Sequence, residues 1–225
     1  MLRGGVFWII EANPRASRTV PIVSKISKLP VIDMAVGIAL GERLRDMPYG
    51  TGLYPETGQW SVKVPVFSND KLPGLDPKLG PRMMSTGESL GVADNLADAI
   101  MDGLKGSGWL PPATGRILMS IADSEKAEAM PVASQYKMLG WEIDATEGTA
   151  AYLKKWGIEV NRVERAELVR RLRGGEWDLV LNIPGGNERH MADGAMIRKQ
   201  ACSAGTPCLH SIAAAWAVAA GLNSR

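Results

Sequence analysis

RILMSIADSEKAEAMPVASQYKMLGWEIDATEGTAAYLKKWGIEVNRV, residues 116–163, alternates short apolar runs with longer polar stretches, and that alternation decides the fold class. Residues 116–122 read as a buried-type strand, 124–139 as a helix closed by Gly140, and 141–146 as the next strand. A helix over 149–156 closed by Gly157 follows, then a strand over 158–163. Pro131 lacks an amide hydrogen and crowds the preceding turn, so it is expected to kink its helix or shift the start. Further on, 164–173 reads as a basic helix and 178–183 (DLVLNI) as an apolar strand running into Pro184, Gly185 and Gly186. A helix over 194–204, a strand over 207–210 and a helix over 212–220 finish the chain. Strands alternating with helices of about ten residues predict an α/β fold, a parallel sheet flanked by helices on both faces.

In such sheets ligands sit at the carboxyl ends of the strands. That rule selects Ser120, the DATEGT segment (144–149) and Asn182. Thr146 and Thr149 flank Gly148 at a strand-to-helix turn, where unpaired amides and the positive end of the helix dipole suit a phosphate. Lys126, at the start of the preceding helix, can add a full positive charge. Thr and Ser are also common helix caps, so at this level a purely structural role stands beside the phosphate reading.

Working toward the N-terminus, GSGWLPPATG (106–115) has the composition of a linker. The expected division is therefore a first domain over 1–106, a linker over 107–114 and a second domain over 115–225. Within the first, 94–105 reads as an amphipathic helix and 61–67 as a strand in which Pro65 marks an edge or the strand's end. Residues 45–61 read as a surface loop, 31–44 and 18–29 as helices, and 6–10 as a short apolar strand. That strand opens WIIEANPRASRTVP, residues 8–21. Alternate residues of an extended segment share a side, so Glu11 and Asn13 can offer two oxygens to one hard cation. Mg²⁺ is typically held by one or two such oxygens together with nucleotide phosphates. Arg15 and Arg18 can grip phosphate or carboxylate groups in bidentate fashion. An ordinary turn is the alternative, since Asn-Pro favours turn initiation. A nucleotide site needs more elements than the residues before Glu11 supply, so half a site is expected here.

Composition narrows the partners. The chain has 225 residues, 45% of them hydrophobic, and a formal net charge of +2. This charge is too small to imply nucleic acid or an anionic membrane as partner. No apolar run reaches the roughly 18 residues of a membrane span, and no signal-peptide pattern is read at the N-terminus. Cys202 and Cys208 do not make a metal-type pair and read as reduced, buried thiols, so a cytoplasmic location is expected. His190 and His210 offer no ligand cluster.

The string EANPRASRTVPIVSK (11–25) resembles the metal-binding strand in the ATP-grasp domains of carbamoyl-phosphate synthase, large subunit. KLPGLDPKLGPRMMSTGESLGV (71–92) is similar to the segment that follows in the same family. This second block argues against the tail of another ATP-grasp ligase. The second half resembles the MGS-like domain, the Rossmann-like regulatory domain of that synthase and a relative of methylglyoxal synthase. The resemblance thus implies an incomplete ATP-grasp C-terminal segment followed by an MGS-like domain. It implies that Glu11 and Asn13 hold Mg²⁺ (or Mn²⁺) with ATP in the complete enzyme, where Arg15 and Arg18 orient the phosphoryl group or carbamate. It also implies that Ser120, Lys126, Thr146, Thr149, Arg165 and Asn182 contact a nucleotide effector of UMP or IMP type.

Several positions depart from the family pattern. Arg165 stands where a lysine is usual, and Pro184 where some members have a threonine. Glu147 puts a negative charge beside the expected phosphate. The segment between Arg165 and Asn182 is shorter than in bacterial relatives. Val64 occupies the place of a glutamate that helps bind ornithine, and His210 replaces a threonine tied to the same ligand, so ornithine regulation is not expected. No aspartate matches the catalytic base of methylglyoxal synthase. The expected role is the C-terminal portion of the synthase large subunit in pyrimidine and arginine biosynthesis, inactive alone. Its expected partners are the remainder of that subunit and a glutaminase small subunit. The alternative is a stand-alone nucleotide-sensing module without catalytic activity.

Overall fold

The computed structural model describes residues 2–68, 76, 83–185 and 188–224, with the backbone alone at 188–190. By compactness the chain divides into Met1–Gly58 and Gln59–Arg225.

In the first unit a two-residue hairpin pairs β1 (Leu2–Arg3) with β2 (Val6–Phe7) through Gly4 and Gly5, both at positive φ. The strand expected over 6–10 therefore ends at Phe7, and Glu11 and Asn13 lie in irregular backbone. Two helices follow, α1 (Thr19–Ser27) and α2 (Val31–Ala39). Helix α1 stops where Lys28 turns left-handed at φ 58°, two residues before Pro30. Among the described residues of this unit none is buried. Phe7, Ile9 and Ile10 are 83%, 90% and 78% exposed, so hydrophobic burial within the unit contributes little to its stability.

The second unit holds the core. Strand β3 (Trp60–Val66) pairs antiparallel with β4 (Gly87–Ala93), in a register running from Trp60↔Ala93 to Val66↔Gly87. Pro65 is tolerated because, among the described residues, this sheet has two strands, so one side of β3 needs no ladder donor. Half of the family block over 71–92 lies outside the described residues, which include Asp76 and 83–92. Strand β4 forms from its last part and was not anticipated. Helix α3 (Leu96–Gly106) starts at Asn95, whose side chain accepts a hydrogen bond from the Asp98 amide at 2.9 Å. It lies close on β4 at Gly91 and Gly103, and Val64 packs against it.

Five parallel strands follow: β5 (Arg116–Ile121), β6 (Glu142–Thr146), β7 (Asn161–Val163), β8 (Leu179–Ile183) and β9 (Cys208–Leu209). Their spatial order is β7-β6-β5-β8-β9. The intervening helices are α4 (Lys126–Met138), α5 (Glu147–Lys155), α6 (Arg165–Arg173), α7 (Glu188–Ser203) and, last, α8 (Ile212–Asn223). Strand alternation sorts the apolar residues between two faces. Ile117, Met119 and Ile121 join Val132, Tyr136, Leu153 and Val218 on one face. Leu118 and Val180 join Leu168, Leu172 and Ile197 on the other. The expected α/β sheet flanked by helices is present.

Several boundaries differ from expectation. Helix α5 starts at Glu147 rather than 149, and α7 begins at Glu188 rather than 194. Helix α4 runs through Pro131 after a 3₁₀ turn over Asp123–Glu125. The boundary expected at 107–114 does not coincide with the compact units, because Ile100, Met101 and Leu104 of α3 enter the same core as the sheet.

Cys202 and Cys208 are free thiols, as expected, with Cys202 buried. Burial pushes the Cys202 thiol up to about 11, Asp76 adds to that shift, and burial likewise raises Cys208. Both groups are held neutral in the fold, so the stability they contribute persists below an ordinary thiol pKa and declines as pH rises from about 9 toward 11. Native protein is expected to react slowly with an aromatic disulfide reagent at pH 8 and to release both thiols at once on denaturation. Rapid reaction of the native chain would contradict this environment.

Candidate functional site: a cleft at the switch point of the sheet

Strand order reverses between β5 and β8, and there the carboxyl ends of the strands open into a cleft. Its volume is about 380 Å³, and Ser120, Lys126, Thr146, Thr149, Arg165 and Asn182 all line it. These six residues lie on six elements, β5, α4, β6, α5, α6 and β8, so the topology, not local sequence, brings them together.

Each is fixed by its neighbours. The Thr149 hydroxyl accepts a hydrogen bond from the Ile121 amide at 3.0 Å and lies 3.3 Å from the Thr146 hydroxyl. It thereby ties the start of α5 to the end of β5. Thr146 sits at the N-cap of α5 but makes no side-chain bond to the helix amides, which remain available to an anion. Lys126, although 8% exposed, donates to the Gly148 carbonyl at 2.8 Å and pairs with Asp123 at 2.5 Å. A side chain at Gly148 would bring its Cβ within 3.2 Å of that ammonium. Ser120 and Asn182 are register partners on adjacent strands.

The rim is more acidic than the sequence alone suggested. Arg165 pairs with Asp193 at 2.5 Å, and Arg162 bridges Glu147 and Glu164, each at 3.0 Å. An anion entering the cleft therefore competes with resident carboxylates for Lys126 and Arg165. Glu147 is itself partly neutralised by Arg162. Beneath the floor lie two residues that sequence reading missed. Arg198, 2% exposed, donates to Asn182 Oδ1 at 2.8 Å and forks onto Asp76 at 2.6 and 2.7 Å. Their separation along the chain, 122 residues, leaves no local signal that could have found the pair.

The first unit carries the other expected residues. Asn13 Nδ2 donates to Glu11 Oε1 at 3.1 Å, so the two side chains stand together, both exposed. Asn13 Oδ1 and the second Glu11 oxygen are left as donors suited to a hard cation. Arg15 donates to the Ala16 carbonyl at 3.4 Å, and Arg18 is the N-cap residue of α1. No cluster of three or more His, Cys, Asp or Glu side chains able to hold a metal occurs among the described residues. Likewise no described helix is long and apolar enough to cross a membrane.

Comparison with known proteins gives two family matches. Residues 128–210 match the MGS-like domain, and residues 2–47 match the carbamoyl-phosphate synthase L chain, ATP binding domain. The carbamoyl phosphate synthase large chain of Clostridium botulinum (strain Kyoto / Type A2) is 43% identical over 203 residues, covering 88% of this chain and 19% of the relative. That of Clostridium beijerinckii is 42% identical over the same length and coverage. That of Lachnoclostridium phytofermentans is 37% identical over 222 residues, covering 96% of this chain and 21% of the relative. The chain thus spans about a fifth of the length of these relatives.

Proposed function

The chain is a relative of the C-terminal region of carbamoyl phosphate synthase large chains, with part of an ATP-binding domain and an MGS-like domain, and on that premise we propose that its cleft binds a nucleotide effector of UMP or IMP type. The observation that carries this reading is the convergence of Lys126, Thr149 and Asn182 around a concave site into which the free amides of α5 open. The amides and the Lys126 ammonium would receive the phosphate, a charge-assisted arrangement. Ser120, Thr146 and Asn182 would supply polar contacts to the remainder, and Arg165 would close the rim.

The first unit, in this proposal, belongs to the site that phosphorylates carbamate. Glu11 and Asn13 would hold Mg²⁺ or Mn²⁺, which with ATP supplies charge neutralisation for phosphoryl transfer. Arg15 and Arg18 would bind and orient an anionic oxygen. The exposed Phe7, Ile9 and Ile10 fit a surface covered by the rest of a large subunit. A glutaminase small subunit, roles in pyrimidine and arginine biosynthesis and a cytoplasmic setting complete the proposal. A second reading, a nucleotide-sensing module without catalytic activity, is favoured by one observation: among the described residues the buried core lies in Gln59–Arg225.

Calorimetric titration of the chain with UMP, IMP and UTP tests the effector reading. Lys126→Ala is expected to weaken the nucleotide that binds by about tenfold or more, the scale of one charge-assisted contact. Glu147→Gln is expected to move affinity the other way. Affinity unchanged by Lys126→Ala would overturn the phosphate assignment.

A further inference from the structure

Asn182 is 1% exposed, yet it lines the cleft. Its amide has an acceptor end and a donor end, and their assignment is decided from behind. Arg198 offers only donors, and its Nη1 donates to Asn182 Oδ1 at 2.8 Å. The oxygen is therefore turned to Arg198 and the NH₂ to the end of β5. There Nδ2 lies 3.5 Å from the Ser120 carbonyl, a long contact that leaves donor capacity for a ligand. Arg198 is in turn fixed by its bidentate pair with Asp76, from Nε at 2.6 Å and Nη2 at 2.7 Å. A buried guanidinium needs such a counter-charge. Gly194 confines the junction: a Cβ there would stand 3.0 Å from Arg198 Nη1 and 3.2 Å from Asn182 Oδ1.

We propose that Arg198 is a positioning residue of the cleft, presenting the Asn182 NH₂ as a donor to the ligand and coupling that orientation to Asp76. The ligand must then offer an acceptor oxygen, a base carbonyl or a phosphate oxygen, at Asn182. By linkage, whatever changes the hold of Asp76 on Arg198 changes ligand affinity, and ligand binding acts back on Asp76 equally. This inference rests on the cleft being a nucleotide site, although its geometric half can be tested without ligand.

The test uses Asp76→Asn and Arg198→Lys in the full chain, since the second keeps the buried positive charge if the first folds poorly. The Asn182 side-chain amide signals are assigned in a ¹H–¹⁵N spectrum by their loss in Asn182→Ala. They are expected to shift in both variants, and UMP or IMP affinity to fall by about three- to tenfold, as for one to two hydrogen bonds, with the far-ultraviolet spectrum unchanged. Asn182 signals at their wild-type positions in both variants would overturn the proposal, as would shifted signals with unaltered nucleotide affinity. Shifted signals in a chain that binds neither nucleotide would support the positioning role while refuting the nucleotide reading.

Discussion

Replacing Asp144 with Ala is expected to lower the unfolding free energy by about 3–5 kcal/mol, the cost of breaking a buried pair by removing one partner. Asp144 stands on β6 at 2% exposure, and its carboxylate gathers three donors. Arg171 reaches Oδ2 at 2.6 Å, the Trp177 indole N–H reaches the same oxygen at 3.0 Å, and Asn161 donates to Oδ1 at 3.1 Å. Arg171 also lies over the Trp177 ring at 4.5 Å and binds Glu176 at 2.7 Å, so the cation joins α6 to the sheet. Alanine would strand the buried indole N–H and leave Arg171 with Glu176 as its one remaining carboxylate among these contacts. Asp144→Asn keeps an acceptor for the indole and is expected to cost less. Denaturant titration of both variants checks the order, and a loss below about 1 kcal/mol for Asp144→Ala would show that the network adds nothing beyond an exposed ion pair.

Gly91→Ala is expected to destabilise the second unit by about 3 kcal/mol or more, at or beyond the upper end of overpacking costs. An added Cβ would stand 2.0 Å from the Ala99 carbonyl oxygen and 2.3 Å from the Gly103 amide nitrogen. Both are backbone atoms of α3, so no side chain can rotate away. Nor can the helix retreat freely, because Ile100, Met101 and Leu104 of α3 are part of the main core. Gly87→Ala on the same strand is the matched control. Among the described residues its Cβ would meet Val66, at 3.5 Å, an ordinary contact, and a change within about 0.5 kcal/mol is expected. Thermal unfolding of the two variants should separate them by many degrees; equal midpoints would mean that β4 can lift from α3 without loss.

These two sites mark where local sequence reading stops. The parallel sheet was legible because its strands are short apolar runs set apart by longer polar stretches, and two of its helices are closed by a glycine, Gly140 and Gly157. The cleft residues Ser120, Thr146, Thr149 and Asn182 were legible because strand ends are legible, and in such sheets ligands collect at strand ends. Strand β4 was not, since GESLGVA has two glycines and no clean alternation, and only its pairing with β3 and the approach of α3 make it a strand. The N-terminal strand was over-extended because apolar runs read alike whether or not a partner strand exists to pair them.

What the sequence determined by itself is the α/β class, the order of the elements over 116–220, the Glu11–Asn13 pair and the polar residues of the cleft. Each is written in spacing along the chain. Only the tertiary structure decided which distant polar groups meet: Arg165 with Asp193, and Arg198 with both Asn182 and Asp76. The reason is physical. Periodicity encodes which side of an element is buried, whereas an ion pair depends on where two folded elements come to rest, which no local pattern records.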